Sequence, residues 1–456
     1  MNIGRAKALL VALAGCLGFL AHANDTNVLI WQADRDRVSA DIRGEALWPL
    51  LEDIAHQTGW HIFVEPGASQ NASVKFRNLP TGEALEKLLG NLNFAFVPQT
   101  NGPQELYVFT TTIQKATQRI AAAPRKAAVM RHVANQLLVK LKPGANIDAL
   151  AKEYGAKVAA RNDKLGIYLL QFGDSTATDT ALGQLKSSSD VASVEYNYVY
   201  DPPPTPQLAA GVSASTPSLS LNPPSSSGHV IVGLIDTPIQ SLGSQLNQYV
   251  LKPVSEMGDT TTPSATDPTH ATAMAQTILD GASAQGANAS IQILPVDVFG
   301  NNPTATTWSV ALGVQAAVDG GATVLNLSLA GTSDSSILSD VVQQAISKGI
   351  VVFAAAGNQP VTTPMYPAAD PGVIAVAATQ NGQLAPYSDY GSFVSIALPG
   401  TSLFNEGNQS WVVQGTSPAT AYASGIAAGS KSGSDATWAQ ILSSMQSRFP
   451  VPPKGN

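Results

Sequence analysis

Five short apolar runs, rich in Val, Ile and Ala, recur through the C-terminal half of the chain. They cover residues 230–235, 291–298, 323–329, 350–355 and 373–378. Helical stretches between them are predicted to begin near His270, Thr306 and Ser333. Strands that are apolar on both faces and alternate with helices are typical of a parallel sheet covered on both sides. We therefore predict that residues 228–448 form an α/β domain with a doubly wound, mostly parallel sheet. Its functional crevice should lie beyond the carboxyl ends of the strands.

Two smaller segments precede this domain, and each combines strands with two amphipathic helices. In residues 34–112 both helices carry an apolar stripe at spacings of three and four, and Thr81 is the predicted N-cap of the second. The stripes are Leu47, Leu50, Leu51 and Ile54 in the first helix, and Leu85, Leu88, Leu89 and Leu92 in the second. In residues 136–200 a helix is predicted to follow an N-cap at Asn146. We predict two small α+β domains, joined by a linker at residues 113–132.

Residues 201–227 differ in composition from everything around them. This stretch contains seven prolines, seven serines and one charged residue. Such a composition favours an extended chain that builds no core and is open to proteases. We predict a linker that contains a processing site.

The N-terminus has the pattern of a targeting segment. Arg5 and Lys7 precede an apolar run at residues 8–20, which ends in Ala-His-Ala at residues 21–23. A basic start, a short apolar core and this ending predict a secretory signal peptide at residues 1–23, and hence an exported protein. An alternative interpretation is a lipoprotein box ending at Cys16, which would become a lipid anchor.

Composition excludes several kinds of function. The formal net charge is −7, so the chain lacks the basic excess with which proteins bind nucleic acids. Cys16 is the single cysteine, which excludes an internal disulfide framework and any multi-thiolate metal site. No dense carboxylate loop with the ligand count of a calcium site is evident. We therefore predict no cofactor, assign no metal ligands and leave calcium unassigned.

Four polar residues fall where strands end or helices begin: Asp236, His270, Asn358 and Ser417. A serine hydroxyl is a weak nucleophile until a base takes its proton, and a neutral imidazole suits that task near pH 7. A carboxylate then fixes the imidazole tautomer and stabilises the imidazolium. His229 starts the strand that ends at Asp236, about 20 Å away at the strand rise. His270 is therefore the imidazole that this domain can offer as a base.

The sequences around these residues, in their order along the chain, resemble the motifs of subtilisin-like serine proteases. The matching stretches are VGLIDT at 232–237, THAT at 269–272, LNLSL at 325–329, AAAGN at 354–358 and GTS at 415–417, with Gly425 following the last. The resemblance implies that Ser417 attacks the scissile carbonyl, that His270 is the base and that Asp236 orients His270. It also implies that the Asn358 side chain and the Ser417 N–H stabilise the oxyanion.

The same resemblance implies a substrate cleft. The residues that would line the cleft are Ser328, Leu329, Ala330, Gly331, Ala354, Ala355, Ala356 and Gly357. The chain departs from the family pattern at a few positions, but no departure removes a catalytic group. The departures are Pro238, Ala271 and Ala330 in place of glycines, Pro418 in place of methionine, and Ala421 in place of proline. Ala271 is expected to crowd the base.

The two small domains also resemble known families. Residues 136–144 and 194–197 are similar to the propeptide of subtilisin-like proteases, which assists folding, covers the cleft and is cut away. The element order of residues 34–112 and the stretch PTGEAL at 80–85 resemble the short N-terminal domain of secretins and TonB-dependent receptors. That resemblance implies a periplasmic location and an envelope protein partner. The propeptide-like domain would be a partner in cis, and a protein or peptide the substrate.

The sequence supports two hypotheses, an enzyme and a binding protein. The first is an exported serine endopeptidase made as a self-processed precursor. The second is a degenerate protease-like domain that binds peptides or an envelope protein, which the departures at Pro238, Ala271 and Ala330 keep open. An α/β-hydrolase is disfavoured, because the order Asp–His–Ser differs and Ser417 lacks a Gly-x-Ser-x-Gly elbow.

Overall fold

A computed structural model describes residues 28–32, 36–97, 104–120, 131–209, 219–224, 230–243, 245–258, 267–286, 289–302, 304–406 and 409–453. The chain divides into two compact units, Met1–Ala128 and Val129–Asn456. The predicted signal peptide with Cys16, the position of His229 and parts of the 201–227 linker lie outside the described residues. Among the helices that the structure describes, none combines the length and apolarity needed to cross a membrane.

The N-terminal unit contains two sheets and two helices. Its elements are β1 (Val28–Gln32), β2 (Arg37–Ala46), α1 (Leu47–Thr58), β3 (His61–Val64), β4 (Asn71–Leu79), α2 (Thr81–Leu89), β5 (Asn93–Val97), β6 (Glu105–Phe109) and β7 (Gln118–Ile120), with a 3₁₀ turn at Ile113–Lys115. The strand orders are β1-β2-β4 and β5-β6-β3-β7. Both predicted stripes face the core, and Leu92 alone is half-buried. The predicted 113–132 linker is partly wrong, because β7 pairs with β3.

The predicted N-cap at Thr81 is also wrong. Pro80 occupies the N-cap of α2 with an extended backbone, and Thr81 is the first helical residue. The carboxylate of Asp36, distant in sequence, accepts the Thr81 N–H at 3.0 Å. A tertiary contact thus replaces the local cap that the sequence pattern predicts.

The second unit opens with a small α+β domain. Its elements are β8 (His132–Leu141), α3 (Ile147–Glu153), β9 (Lys157–Asn162), β10 (Ile167–Gln171), α4 (Ser175–Leu185) and β11 (Val191–Tyr200). The predicted cap is confirmed, since the Asn146 side chain accepts from the N–H groups of Asp148 and Ala149. Both helices pack on one face of an antiparallel sheet of order β11-β8-β10-β9.

The rest of this unit is a large α/β domain. Its elements are β12 (Gln207–Leu208), β13 (Val230–Asp236), β14 (Val254–Ser255), α5 (His270–Ser283), β15 (Ile291–Asp297), β16 (Ala305–Thr306), α6 (Thr307–Asp319), β17 (Val324–Leu327), α7 (Ser336–Ser347), β18 (Val351–Ala355), β19 (Ile374–Gln380), β20 (Gln383–Leu384), β21 (Ile396–Pro399), β22 (Thr401–Glu406), β23 (Gln409–Gln414), α8 (Thr416–Ser432) and α9 (Trp438–Arg448), with a 3₁₀ turn at Asn247–Tyr249.

The central sheet confirms the predicted fold class. Its order is β14-β15-β13-β17-β18-β19-β20, with β21 beside β19, and every pairing except β19–β20 is parallel. One hydrophobic cluster packs α5 and α8 against one face, and a second packs α6 and α7 against the other. All five predicted apolar runs are strands of this sheet, because strands covered on both faces carry apolar residues throughout.

Glycines bring α5 and α8 into close contact. A Cβ on Gly425 would lie 2.1 Å from the Ile278 carbonyl oxygen, and one on Gly281 would lie 2.4 Å from the Tyr422 carbonyl oxygen. Helix backbones approach this closely only where side chains are missing. The contact sets the spacing of two candidate site residues, because α5 begins with His270 and α8 carries Ser417 in its first turn.

The small domain is joined to the large domain by its last strand. Strand β11 pairs with β16, extending the small domain's sheet to the order β16-β11-β8-β10-β9. The Glu195 carboxylate accepts from the Ser336 N–H at 2.9 Å and from the Ser335 hydroxyl at the start of α7. The Asn197 side-chain oxygen accepts from the Trp308 N–H at 3.1 Å, at the start of α6. Two polar side chains of β11 thus cap two helices of the large domain.

Candidate active site

Asp236 and His270 lie together at the carboxyl end of the sheet. Asp236 is the last residue of β13, and His270 is the first residue of α5. His270 Nδ1 lies 2.8 Å from both carboxylate oxygens of Asp236, and each residue is 2% exposed. A proton on Nδ1 satisfies this contact and leaves the lone pair on Nε2. Nε2 is buried and has no hydrogen-bond partner among the described residues.

Thr237 ties the two elements together at their ends. Its N–H donates to Asp236 Oδ1 at 2.7 Å, and its hydroxyl accepts from the Ala271 N–H at 3.0 Å. Ala271 itself is fully buried in the core on the α5–α8 side of the sheet. The extra methyl group that the sequence analysis expected to crowd the base therefore packs into that core.

Ser417 is the second residue of α8 and is 2% exposed. Its hydroxyl donates to the Ser328 carbonyl at 3.2 Å and not to His270 Nε2. Behind it, Asn326 Nδ2 donates to Ser328 Oγ at 2.8 Å, and Ser424 Oγ donates to Asn326 Oδ1 at 3.1 Å. This network links the end of β17 to the first turns of α8.

The start of α8 provides a set of backbone donors. Its N-cap is Gly415, which makes no side-chain cap and has a φ of +152°, in the region that favours glycine. The Thr416 N–H donates to Asn358 Oδ1 at 2.7 Å. The Thr416 hydroxyl also donates to Asn358 Oδ1, at 3.1 Å, so the first residue of α8 orients the Asn358 amide through its oxygen. The positive end of α8 and this amide can stabilise a developing negative charge.

The predicted cleft residues fall into two groups. Ser328 and Leu329 are buried, while Ala330 and Gly331 are half-buried. Gly331 lies against the ring of Tyr200, since a Cβ there would be 2.9 Å from two ring carbons. The last residue of the small domain therefore occupies the space next to this segment.

The second group, at and after the end of β18, is packed inside the domain. Ala354, Ala355 and Ala356 are at most 2% exposed, and Gly357 is buried. Ala354 and Ala356 belong to hydrophobic clusters. In this structure the three alanines pack inside the domain, and their place in a substrate cleft stays a prediction.

Burial shifts the pKa of the groups that join the two domains. Desolvation raises the pKa of the Glu195 carboxyl, and hydrogen bonds from Ser335 and Ser336 act in the opposite direction. Desolvation also raises the pKa of the fully buried Tyr200 hydroxyl. Within the described ranges no group of three or more His, Cys, Asp or Glu side chains could hold a metal ion.

Sequence reasoning missed the contacts made by three residues. Glu195 and Asn197 bond to helices of the large domain, and Asp389 bonds to the turn of Asn358. The first two were detectable in principle, because two polar residues at a spacing of two fall on one face of a predicted strand. Asp389 lies in a loop with no periodic pattern, so no local signal marks it.

Comparisons with known proteins agree with this geometry. The sequence model of the subtilase family matches residues 227–446, and that of the fervidolysin N-terminal prodomain matches residues 118–197. The second match begins well before the predicted start at residue 136.

Over 202 residues the chain is 36% identical to thermitase of Thermoactinomyces vulgaris, an alignment that covers 43% of this chain and 72% of thermitase. It is 28% identical over 331 residues to the thermophilic serine proteinase of Bacillus sp. (strain AK1), covering 69% and 81% of the two chains. It is 31% identical over 267 residues to subtilisin J of Geobacillus stearothermophilus, covering 56% and 68%.

Among solved structures, the fold matches that of fervidolysin from Fervidobacterium pennivorans, a keratinolytic enzyme related to subtilisin. The TM-score is 0.54 at 19% identity, over 68% of this chain and 57% of fervidolysin. Likeness at this identity bears on the fold alone, whereas the thermitase alignment spans most of a curated relative. With a prodomain-like region in front of its α/β domain, the chain belongs to the subtilase family and is a subtilisin-like serine endopeptidase.

Proposed function

We propose that the chain is an exported precursor whose catalytic groups are Asp236, His270 and Ser417, with Asn358 as an oxyanion donor. The observation that carries the proposal is the geometry of the buried His270. Its Nδ1 contacts Asp236, and its Nε2 has no hydrogen-bond partner among the described residues. In this mechanism the Ser417 hydroxyl gives up its bond to Ser328 and donates to Nε2. His270 then accepts the proton as Ser417 attacks the scissile carbonyl.

The tetrahedral intermediate carries a negative oxygen. Asn358 Nδ2 and the Ser417 N–H are the proposed donors to it, and removal of one such donor typically costs about 3 kcal/mol of transition-state stabilisation. His270 returns its proton to the leaving amine, and water then releases the acyl group by the same route in reverse. Throughout, Asp236 orients His270 and stabilises the imidazolium.

The small domain is the proposed inhibitor in cis. Tyr200 packs against Gly331, and seven residues later Gln207 and Leu208 pair with Val412 and Trp411 of β23. Residues 201–206 connect these two contacts. Gly331 in the first contact is close in sequence to Ser328, and Val412 in the second is close in sequence to Ser417. The 2% exposure of both His270 and Ser417 fits a chain that covers them.

Self-processing within residues 201–227 would release this cover. Four peptide bonds of the 201–206 segment precede a proline, at positions 202, 203, 204 and 206. In each of them the proline ring crowds the nitrogen that would have to leave. We therefore expect the cut at Pro204–Thr205 or after Pro206, and not at the four bonds that precede a proline.

The test compares residues 24–456 with the Ser417→Ala variant and with Ser430→Ala as a matched control. Ser430 is a half-buried serine of the same helix whose hydroxyl donates to Gln285. Intact masses over time, and labelling by a fluorophosphonate, report self-cleavage and an activated serine. We expect cleavage and labelling in the wild type and in Ser430→Ala, and neither in Ser417→Ala.

A peptide-binding module on the same fold is the second candidate. The observation that favours it is the Ser417 hydroxyl bonding to Ser328 instead of to the imidazole. If a wild-type chain cut in residues 201–227 by an added protease still resists the fluorophosphonate, the binding function replaces the catalytic one.

We further propose that residues 1–23 direct export to the periplasm and that the N-terminal unit binds an envelope protein, as the short N-terminal domain of secretins and TonB-dependent receptors does. Its two sheets and two helices, with the predicted stripes in the core, support this reading. Deleting residues 28–120 should leave peptide hydrolysis intact and abolish crosslinking to envelope proteins in cells. Loss of hydrolysis with unchanged crosslinking would refute the docking role.

A further inference from the structure

A buried carboxylate lies beneath the turn that carries Asn358. Asp389 is fully buried, and its Oδ1 accepts from the Gln359 N–H at 2.7 Å and from the Val361 N–H at 3.0 Å. Its own N–H donates to the Gly357 carbonyl at 2.9 Å. Asp389 thus bonds to the backbone on both sides of Asn358.

The shape of the turn depends on this carboxylate. Gly357 has a φ of +114°, and a Cβ there would lie 2.1 Å from Asp389 Oδ2. The carboxylate therefore fills the space that a side chain at position 357 would need. Asn358 is exposed, and the Thr416 N–H and hydroxyl both donate to its Oδ1, at 2.7 and 3.1 Å.

We propose that Asp389 is a positioning residue for the oxyanion hole. It fixes the backbone of residues 357–361, and the bond from Thr416 then fixes the Asn358 amide on that backbone. An oxyanion donor is effective when it is held in place before the charge develops, because its reorientation would otherwise cost free energy during the reaction. The inference rests on the proposed role of Asn358 and adds a residue that makes no contact with substrate.

The test is a double-mutant cycle between Asp389 and Asn358 in the full chain after its maturation. Asp389→Ala should lower kcat by about 10- to 100-fold on a chromogenic peptide and leave KM within about twofold. Asp389→Asn retains an acceptor of the same shape and should restore kcat to within a few-fold. In an Asn358→Ala background, Asp389→Ala should cause little further loss, because no amide remains to be positioned.

Asp280→Ala is the control, since Asp280 is a half-buried aspartate of α5, ten residues after His270. It should have the same small effect on kcat in both backgrounds. If Asp389→Ala does not fold, the less disruptive Asp389→Ser takes its place in the cycle, and Asp389→Asn gives the rescue arm.

Equal losses of kcat from the Asp389 variant in the two backgrounds would overturn the proposal, and so would a lowered melting temperature with kcat unchanged. An unchanged kcat in Asn358→Ala alone would instead overturn the proposed role of Asn358. The two failures are therefore distinguishable.

Discussion

Replacing Gly425 by alanine changes the spacing of the two helices that carry His270 and Ser417. The new Cβ would lie 2.1 Å from the Ile278 carbonyl oxygen and 3.0 Å from the Ala282 nitrogen. Both are backbone atoms, so no side chain can turn away to make room. Because non-bonded carbon contacts need about 3.5 Å, α8 has to move away from α5 by roughly 1 Å.

The cost follows from that displacement. Overpacking a core typically costs about 1–3 kcal/mol, and the higher helix propensity of alanine returns at most about 1 kcal/mol. A net loss of about 1–2 kcal/mol is therefore expected. A displacement of about 1 Å between catalytic groups can lower a rate by about 100-fold, so kcat should fall further than stability alone explains.

Gly183→Ala is the matched control. Gly183 lies in α4, and a Cβ there would meet nothing within 4 Å. The same substitution should stabilise the chain there by up to about 1 kcal/mol, since alanine favours a helix and meets no obstacle.

Thermal unfolding in a Ser417→Ala background measures stability without self-digestion, and peptide hydrolysis by the active chains measures kcat. Opposite signs for the two alanines, with kcat lost in Gly425→Ala only, are the expected result. Equal shifts in melting temperature and an unchanged kcat would refute the idea that these glycines set the catalytic spacing.

Three further predictions concern carboxylates. Burial raises the pKa of the Asp370 carboxyl to about 6, so its ionisation opposes folding at higher pH. Asp370→Asn should therefore stabilise the Ser417→Ala chain by about 2 kcal/mol at pH 8 and have little effect at pH 4. Equal gains in stability at the two pH values would contradict this. Hydrogen bonds from Thr111 and Thr110 lower the pKa of Glu65 to about 2, so its contribution is complete above about pH 4.5 and is lost as the pH falls toward 2. Glu65→Gln should make tryptophan-monitored unfolding less sensitive to pH between about 4.5 and 2. An unchanged pH profile would argue against a stabilising role of the hydrogen bonds from Thr110 and Thr111 to Glu65. Glu195→Ala removes the acceptor of the Ser336 N–H and of the Ser335 hydroxyl, while Ser335 remains the N-cap of α7. It should speed fluorophosphonate labelling of the uncut precursor by about 10-fold or more, and an unchanged rate would show that this contact does not keep the precursor latent.

The sheet was predictable, and candidate site residues could be named, because both signals are local. Strands buried on both faces, such as β17 and β18, are continuous apolar runs whatever lies around them. Asp236 and His270 follow from the same patterns, as the end of one run and the start of one helix. The start of α7 was less predictable, since the expected Ser333 precedes two other serines. Ser335 became the N-cap, and Glu195 from the small domain accepts from its hydroxyl.

The sequence by itself determined the fold class and supplied the candidate residues Asp236, His270 and Ser417, because apolar periodicity and motif residues are properties of short segments. Only the tertiary structure decided which groups support them. Asp389 meets the turn of Asn358, and Tyr200 meets Gly331, across about 30 and 130 residues of chain respectively. Each such contact depends on where two separate segments are placed by the packing of the sheet and helices, so no local pattern encodes it.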